Sequence, residues 1–169
     1  MPGHNHATPG TRLNPAWVET ALSEINNSPY YLQQSMKIVS LEYGAATAVI
    51  EVGRKHLQPH LNVHGGVFSG LIDSAGFWAA FTTAPDGADM TTAEMKLSYL
   101  APAAEGHLIC EARIIKAGRT ISLAEARVEN TEGRLLAHGT VTLMTLSNGG
   151  GRKSFGGLAK FVDSVLSEA

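Results

Sequence analysis

Between Val67 and Thr83 almost every side chain is apolar, and Val67, Phe68, Leu71, Ile72, Ala75, Phe77, Trp78, Ala79, Ala80 and Phe81 leave no face for water. A helix that is apolar all round must be surrounded by protein. Pro85, Asp86 and Gly87 end the stretch. Whatever this chain folds into has to wrap that helix, and the flanking sequence supplies strands to do it. Upstream, Met36 to Tyr43 and Ala46 to Val52 are two β-rich runs with Gly44 at the turn between them, which reads as a hairpin. Downstream, Thr91 to Leu100, His107 to Ala117, Thr120 to Asn130 and Leu135 to Leu146 are parted by Pro102 and by turns at Gly106, Gly118 and Gly133.

One long buried helix among six mostly antiparallel strands is an α+β layer arrangement, a curved antiparallel sheet wrapped around a central helix. The hotdog fold has this order. Extra helices are expected at both ends. Asn14 has the character of an N-cap and Pro15 of a first helical residue, with Trp17, Ala21, Leu22 and Ile25 on one face of a helix over 14–26. Gly149 to Gly151 reads as a flexible break, after which Leu158, Phe161, Val162, Val165 and Leu166 fall on one face of a C-terminal amphipathic helix. Residues 1–13, rich in Gly, Pro, His and Thr without periodicity, are expected to be a disordered tail. The division is therefore a tail (1–13), one domain (14–147, core about 36–146) and a terminal segment (148–169).

Composition narrows the partners. The chain has 169 residues, enough for one domain with a real core, and its charged fraction is only 17% against 44% apolar. Association with further copies is expected, as a homodimer or a dimer of dimers. A formal charge of -2 argues against nucleic acid, which needs a basic footprint. Cys110 is the single cysteine, so no intrachain disulfide framework exists, and a reducing compartment is favoured. No secretory leader pattern and no membrane-length apolar run are present, so a soluble cytoplasmic protein with no membrane partner is expected.

The chemistry concentrates between Gln58 and Asp73. His64-Gly65-Gly66 stands where the buried helix starts, and the first backbone N–H groups of a helix have no intrahelical acceptor. They can bind an oxyanion, and glycine lets a ligand approach closely. The same dipeptide can also do no more than turn the chain tightly. Asp73 lies nine residues after His64 inside the apolar helix, where an unpaired carboxylate is costly. It is either bonded to Ser69, Ser74 or a backbone donor, or it is a general base or nucleophile. Eight residues separate it from Gly65, too far to share one carbonyl within a chain, which favours a site completed by a second subunit.

Four stretches carry a family resemblance: Val63-His64-Gly65-Gly66-Val67-Phe68-Ser69-Gly70-Leu71-Ile72-Asp73, Lys96 to Ala103, Lys116 to Thr120, and Gly133 to Gly139. Over about Met36 to Leu146 the chain resembles the hotdog-fold acyl-CoA thioesterases, in particular the phenylacetyl-CoA thioesterase-like branch. The resemblance implies that Gly65 polarises a thioester carbonyl, that His64 supports its loop, and that Asp73 is base or nucleophile. It implies a positioning role for Gln58, where the family often has Asn, and for the Thr92 hydroxyl. Gly66 and Asn62 are further candidate substrate contacts, and Phe68, Phe77, Trp78 and Phe81 either line an acyl pocket or only pack the core. Many relatives carry Arg at the place of Ala101, so Lys116 and Arg119 are the expected cations for the CoA phosphates. No cofactor is implied beyond the coenzyme A of the substrate.

Other constellations read blandly. His56, His60 and His64 are spaced four apart, but Pro59 breaks the helix that would align them on a metal. Ser69 lies in no nucleophile elbow, and Cys110 falls inside a strand. Hydrolysis of an acyl- or aryl-CoA is the leading reading. Its rivals are a hotdog hydratase or dehydratase acting on enoyl or hydroxyacyl thioesters, and a non-catalytic acyl-CoA-binding protein.

Overall fold

The computed structural model describes residues 11–146 and 155–163. Its elements in chain order are β1 (Thr11–Leu13), α1 (Pro15–Asn26), α2 (Pro29–Gln34), β2 (Met36–Glu42), β3 (Ala45–Glu51), α3 (Gly65–Phe81), β4 (Asp89–Tyr99), β5 (His107–Lys116), β6 (Ile121–Glu129), β7 (Leu135–Leu146) and β8 (Phe161–Asp163). Strands β2 to β7 form one antiparallel sheet in the order β2-β3-β5-β6-β7-β4. This is the hotdog fold: a curved sheet around the single long helix α3.

Alternation decides which side of each strand meets that helix. Ala46, Ala48 and Ile50 of β3, Leu108, Cys110 and Ala112 of β5, and Ala124, Ala126 and Val128 of β6 are all buried. Their small size lets the helix come close. At Gly76 of α3 a methyl group would stand 2.6 Å from the Val141 side chain of β7, and at Gly139 it would stand 2.7 Å from the Lys96 carbonyl oxygen. The first substitution would overpack the helix–sheet contact, and the second would press β7 against its neighbour β4. Strand β4 is an edge: among the described residues it pairs only with β7, and much of its length is exposed.

The N-terminal helix forms as expected, with the Asn14 side chain accepting from the Ala16 N–H at 3.1 Å and Pro15 in the first turn. Trp17, Ala21 and Ile25 bury its inner face. Helix α2 was not legible, because six residues are too few to show a period. It matters nonetheless, since the Trp78 indole N–H donates to the Tyr31 hydroxyl at 2.7 Å and fixes α2 against α3.

The ends correct two expectations. Leu13 pairs with Phe161 and Arg12 with Val162, so 11–13 are a strand rather than tail, and 161–163 are a strand rather than helix. Residues 1–10, 147–154 and 164–169, with the Gly149–Gly151 break and Val165 and Leu166, lie outside the described residues. The reason is tertiary. Extended backbone carries Lys160 to the carbonyls beyond α3, where its Nζ donates to Phe81 O and Ala84 O, each at 2.9 Å, and lies 4.1 Å from the centre of the Phe81 ring. The Asn14 N–H donates to Lys160 O at 2.8 Å and closes the join. Such a short apolar pattern fits either period, and the available partners choose. No helix among the described residues is long and apolar enough to cross a membrane.

Lys160 is only 2% exposed. Burial lowers its pKa from 10.5 to about 8, with the Asp86 carboxylate opposing. Between those values the unfolded chain binds more protons than the folded one, so this residue makes stability rise with pH from about 8 to about 10.5. Denaturant titrations of wild type and Lys160→Met across that range should show their stability difference shifting toward wild type by about 1–3 kcal/mol. A difference independent of pH would contradict the burial of a titrating amine.

Candidate active site

The loop before α3 is fastened at both sides. The buried His56 ring accepts from the Gly53 N–H through Nδ1 at 2.9 Å and donates from Nε2 to Gln34 O at 2.8 Å. His56 is thus a structural residue with both ring nitrogens engaged. The His64 N–H donates to His56 O at 2.8 Å, and the Val63 N–H to Ala103 O at 2.7 Å. Within the loop, Gln58 and Asn62 close a tight turn: the Gln58 N–H donates to Asn62 O, and the Leu61 N–H to Gln58 O, each at 2.8 Å. The Gln58 Oε1 accepts from the His60 N–H at 2.6 Å, which leaves the side-chain NH2 as the part of Gln58 that can face a ligand.

His64 is the N-cap of α3, and the helix therefore begins at Gly65 rather than Val67. Its Nδ1 accepts from the Gly66 N–H at 2.9 Å, and its carbonyl accepts from the Val67 N–H at 2.9 Å. Accepting at Nδ1 assigns the ring proton to Nε2. Of the first three N–H groups of the helix, only that of Gly65 finds no acceptor among the described residues. It stands at the positive end of a 17-residue helix. Gly66, expected to contact substrate, has its N–H occupied by His64 instead.

Tyr99 covers Gly65. A methyl group at Gly65 would stand 3.0 Å from Tyr99 Cζ and 3.1 Å from its hydroxyl oxygen. The Tyr99 ring also meets the buried Phe68 edge-on, centroids 6.2 Å apart. Glycine at 65 thus has a second cause beyond ligand approach. No role was read for Tyr99 from sequence, although Met95, Leu97 and Tyr99 alternate after the β4 bulge and would have placed it on the helix side.

Asp73 forms a second cluster. It is half-buried, and the Thr92 hydroxyl donates to its Oδ1 at 2.8 Å. Tyr31, also unforeseen, lies beside it. Burial raises the Tyr31 pKa, hydrogen bonds to Ser74 and Trp78 lower it, and the Asp73 charge raises it again. Phe77 and Trp78 follow one turn on, with ring centroids 5.0 Å apart. Asp73 and Gly65 are about 12 Å apart along the helix axis, so one chain does not unite them. Lys116 and Arg119 are exposed and lie at the opposite end of α3 from Gly65: the Ile114 N–H donates to Gly44 O, and the Gly44 N–H donates to Thr82 Oγ1 just beyond the helix. Cys110 is buried in the sheet, and desolvation pushes its thiol pKa far up, so it is no nucleophile.

Residues 60–137 match the family model described as the thioesterase superfamily. A thioesterase family protein from Silicibacter pomeroyi is 30% identical with a TM-score of 0.70, over 77% of this chain and 98% of that one. The chain belongs to the thioesterase superfamily. It is accordingly a thioester hydrolase. A mutant of phenylacetic acid degradation protein PaaI from Thermus thermophilus is 28% identical with a TM-score of 0.65, over 70% of this thioesterase and all of that chain. Acyl-coenzyme A thioesterase 13 of Homo sapiens is 27% identical over 107 residues, 62% of this chain and 76% of that protein.

The Gly65–Tyr99 contact is testable by a double-mutant cycle. Gly65→Ala and Tyr99→Ala, measured singly and together by chemical denaturation, should couple by at least about 0.5 kcal/mol, because the added methyl is tolerated once the ring is gone. Strict additivity would show that the ring does not cover Gly65.

Proposed function

We propose that this enzyme hydrolyses an acyl- or aryl-CoA to the carboxylic acid and free CoA at a site shared by two subunits. The observation that carries the reading is the pair of half-sites: an open Gly65 N–H at one point of α3, and the Asp73–Thr92 pair about 12 Å along it. Two α3 helices running antiparallel across a two-fold axis bring Gly65 of one chain beside Asp73 of the other, twice. The unpaired edge of β4 offers the seam for such a dimer.

In this arrangement the Gly65 N–H donates to the thioester carbonyl oxygen and holds the negative charge that develops on it. His64 keeps that donor free by occupying the Gly66 N–H, and the Gln58 side-chain NH2 supplies a second donor to the carbonyl or to water. Thr92 orients the Asp73 carboxylate. Asp73 acts as general base, taking a proton from water as its oxygen adds to the carbonyl carbon, or as nucleophile through an anhydride. On the general-base route, collapse of the tetrahedral intermediate breaks the C–S bond and the departing sulfur takes that proton; on the nucleophile route the C–S bond breaks as the anhydride forms, and water then hydrolyses the anhydride, regenerating the Asp73 carboxylate and giving a proton to the thiolate. Phe68 and Asn62 contact substrate near the carbonyl, Phe77 and Trp78 beyond Asp73. The Lys116–Arg119 turn of the Asp73 subunit, which the two-fold brings toward Gly65, attracts the CoA phosphates. The reaction as proposed uses no metal and no redox cofactor.

Thiol release from a panel of acyl-CoAs tests this. Asp73→Asn, nearly isosteric, should keep the fold and lower turnover on the best substrate by at least about 100-fold. Equal turnover by wild type and variant would remove Asp73 from the chemistry. Replacing Lys116 and Arg119 with Ala should raise KM much more for CoA thioesters than for truncated pantetheine thioesters. An equal effect on both would show that neither reads the nucleotide end.

A further inference from the structure

A cavity of about 340 Å³ lies between α1, the last two turns of α3, the start of β4 and the C-terminal segment. Its size falls at the small end of ligand sites. Five aromatic rings line it: Trp17, Phe77, Trp78, Phe81 and Phe155. Phe155 closes the outer wall, with its ring centroid 5.5 Å from Trp17 and 5.8 Å from Trp78. That wall is held in place by Lys160 on the carbonyls of Phe81 and Ala84, by the Asn14 side chain donating to Ala159 O at 2.9 Å, and by the β1–β8 ladder. Both α1 and residues 155–160 lie outside the span 60–137 that the family model matches.

One helix face leads to it from Asp73. On α3, residues 73, 77 and 81 follow at i, i+4 and i+8 along one face, and Phe77 and Phe81 line the cavity. One turn from Asp73 to Phe77 is about 6 Å. An extended alkyl chain advances roughly 1.3 Å per carbon, given C–C bonds of about 1.5 Å, so the cavity begins near the sixth carbon from a carbonyl at Asp73. Glu24, Asp86 and Asp89 also line it beside the one cation among the described lining residues, Lys160, and the net negative lining disfavours a tail that ends in a negative charge.

Resting on the acyl-CoA reading above, we propose that this cavity receives the far end of the acyl group and makes the enzyme selective for uncharged alkyl thioesters longer than about six carbons. Short acyl groups end before reaching the rings. Each methylene that enters the cavity should raise kcat/KM about fourfold until the space is filled.

The two tryptophans of the chain, Trp17 and Trp78, both line the cavity, so its occupation can be read without turnover. Butyl-CoA and dodecyl-CoA thioethers, each with a terminal bromine as heavy-atom quencher, are titrated against the protein. The dodecyl compound should quench at least half of the tryptophan emission at saturation, and the butyl compound little. In thiol-release assays Phe155→Ala should move the preferred chain length up, and Ala88→Phe, which fills the space, should move it down. A dodecyl thioether that competes with substrate yet leaves the emission unchanged overturns the proposal, as does a flat profile from four to twelve carbons in an active enzyme. Absence of thiol release from every acyl-CoA, with no binding of either thioether, would instead defeat the acyl-CoA reading on which the proposal rests.

Discussion

Enclosure of α3 is the constraint from which the rest follows. Its Leu71, Ile72, Ala75, Ala79 and Ala80 are completely removed from solvent, and only a sheet bent around them can achieve this. The alanines of β3, β5 and β6 and the glycine at 76 set how close that sheet comes. A helix held on its sides is free at its start, and that end is where His64, Gly65 and Tyr99 meet. The same enclosure gives Asp73 its value. On an otherwise apolar helix it is half-buried, held by Thr92 and flanked by Tyr31, so its position is set by packing rather than by solvent.

Capping turns a general property of helices into a particular one. Every helix start leaves several N–H groups without intrahelical acceptors, which alone would make Gly65 and Gly66 equivalent. The His64 ring breaks the equivalence by taking the Gly66 N–H, and Tyr99 defines the space above Gly65. Catalysis as proposed uses one backbone donor at one point, and these two side chains supply the selection.

Much of this was legible in the sequence because long, strongly periodic segments have few alternatives. The all-apolar run of α3 and the strand alternation carried the fold, and an acidic residue nine positions after His64 pointed to Asp73 as exceptional. What was not legible depends on partners distant in sequence. Tyr99 gains meaning only when β4 lies beside the start of α3, and Tyr31 only when the six residues of α2 dock on Trp78. The C-terminal segment shows helical spacing at Leu158, Phe161 and Val162, yet pairing with 11–13 and the carbonyls offered to Lys160 decide its extended form. Lys116 and Arg119 were read as phosphate contacts without a place in space, and the fold puts them far from Gly65 of their own chain.

The central claim is that Gly65 and Asp73 act together from different subunits, and subunit mixing tests it most directly. Gly65→Pro removes the N–H at the first helical position, where the backbone suits proline and the exposed Tyr99 ring has to turn aside for the added carbons, and His64 already has the extended backbone that a following proline requires. This variant and Asp73→Asn, each inactive alone and each confirmed folded, are mixed under conditions that exchange subunits. Random pairing makes about half of the dimers mixed, each with one intact site and one doubly damaged site. Activity should recover to roughly a quarter of wild type. If both groups served one active site from the same chain, every site would keep one lesion, and no recovery despite demonstrated mixed dimers would contradict the account.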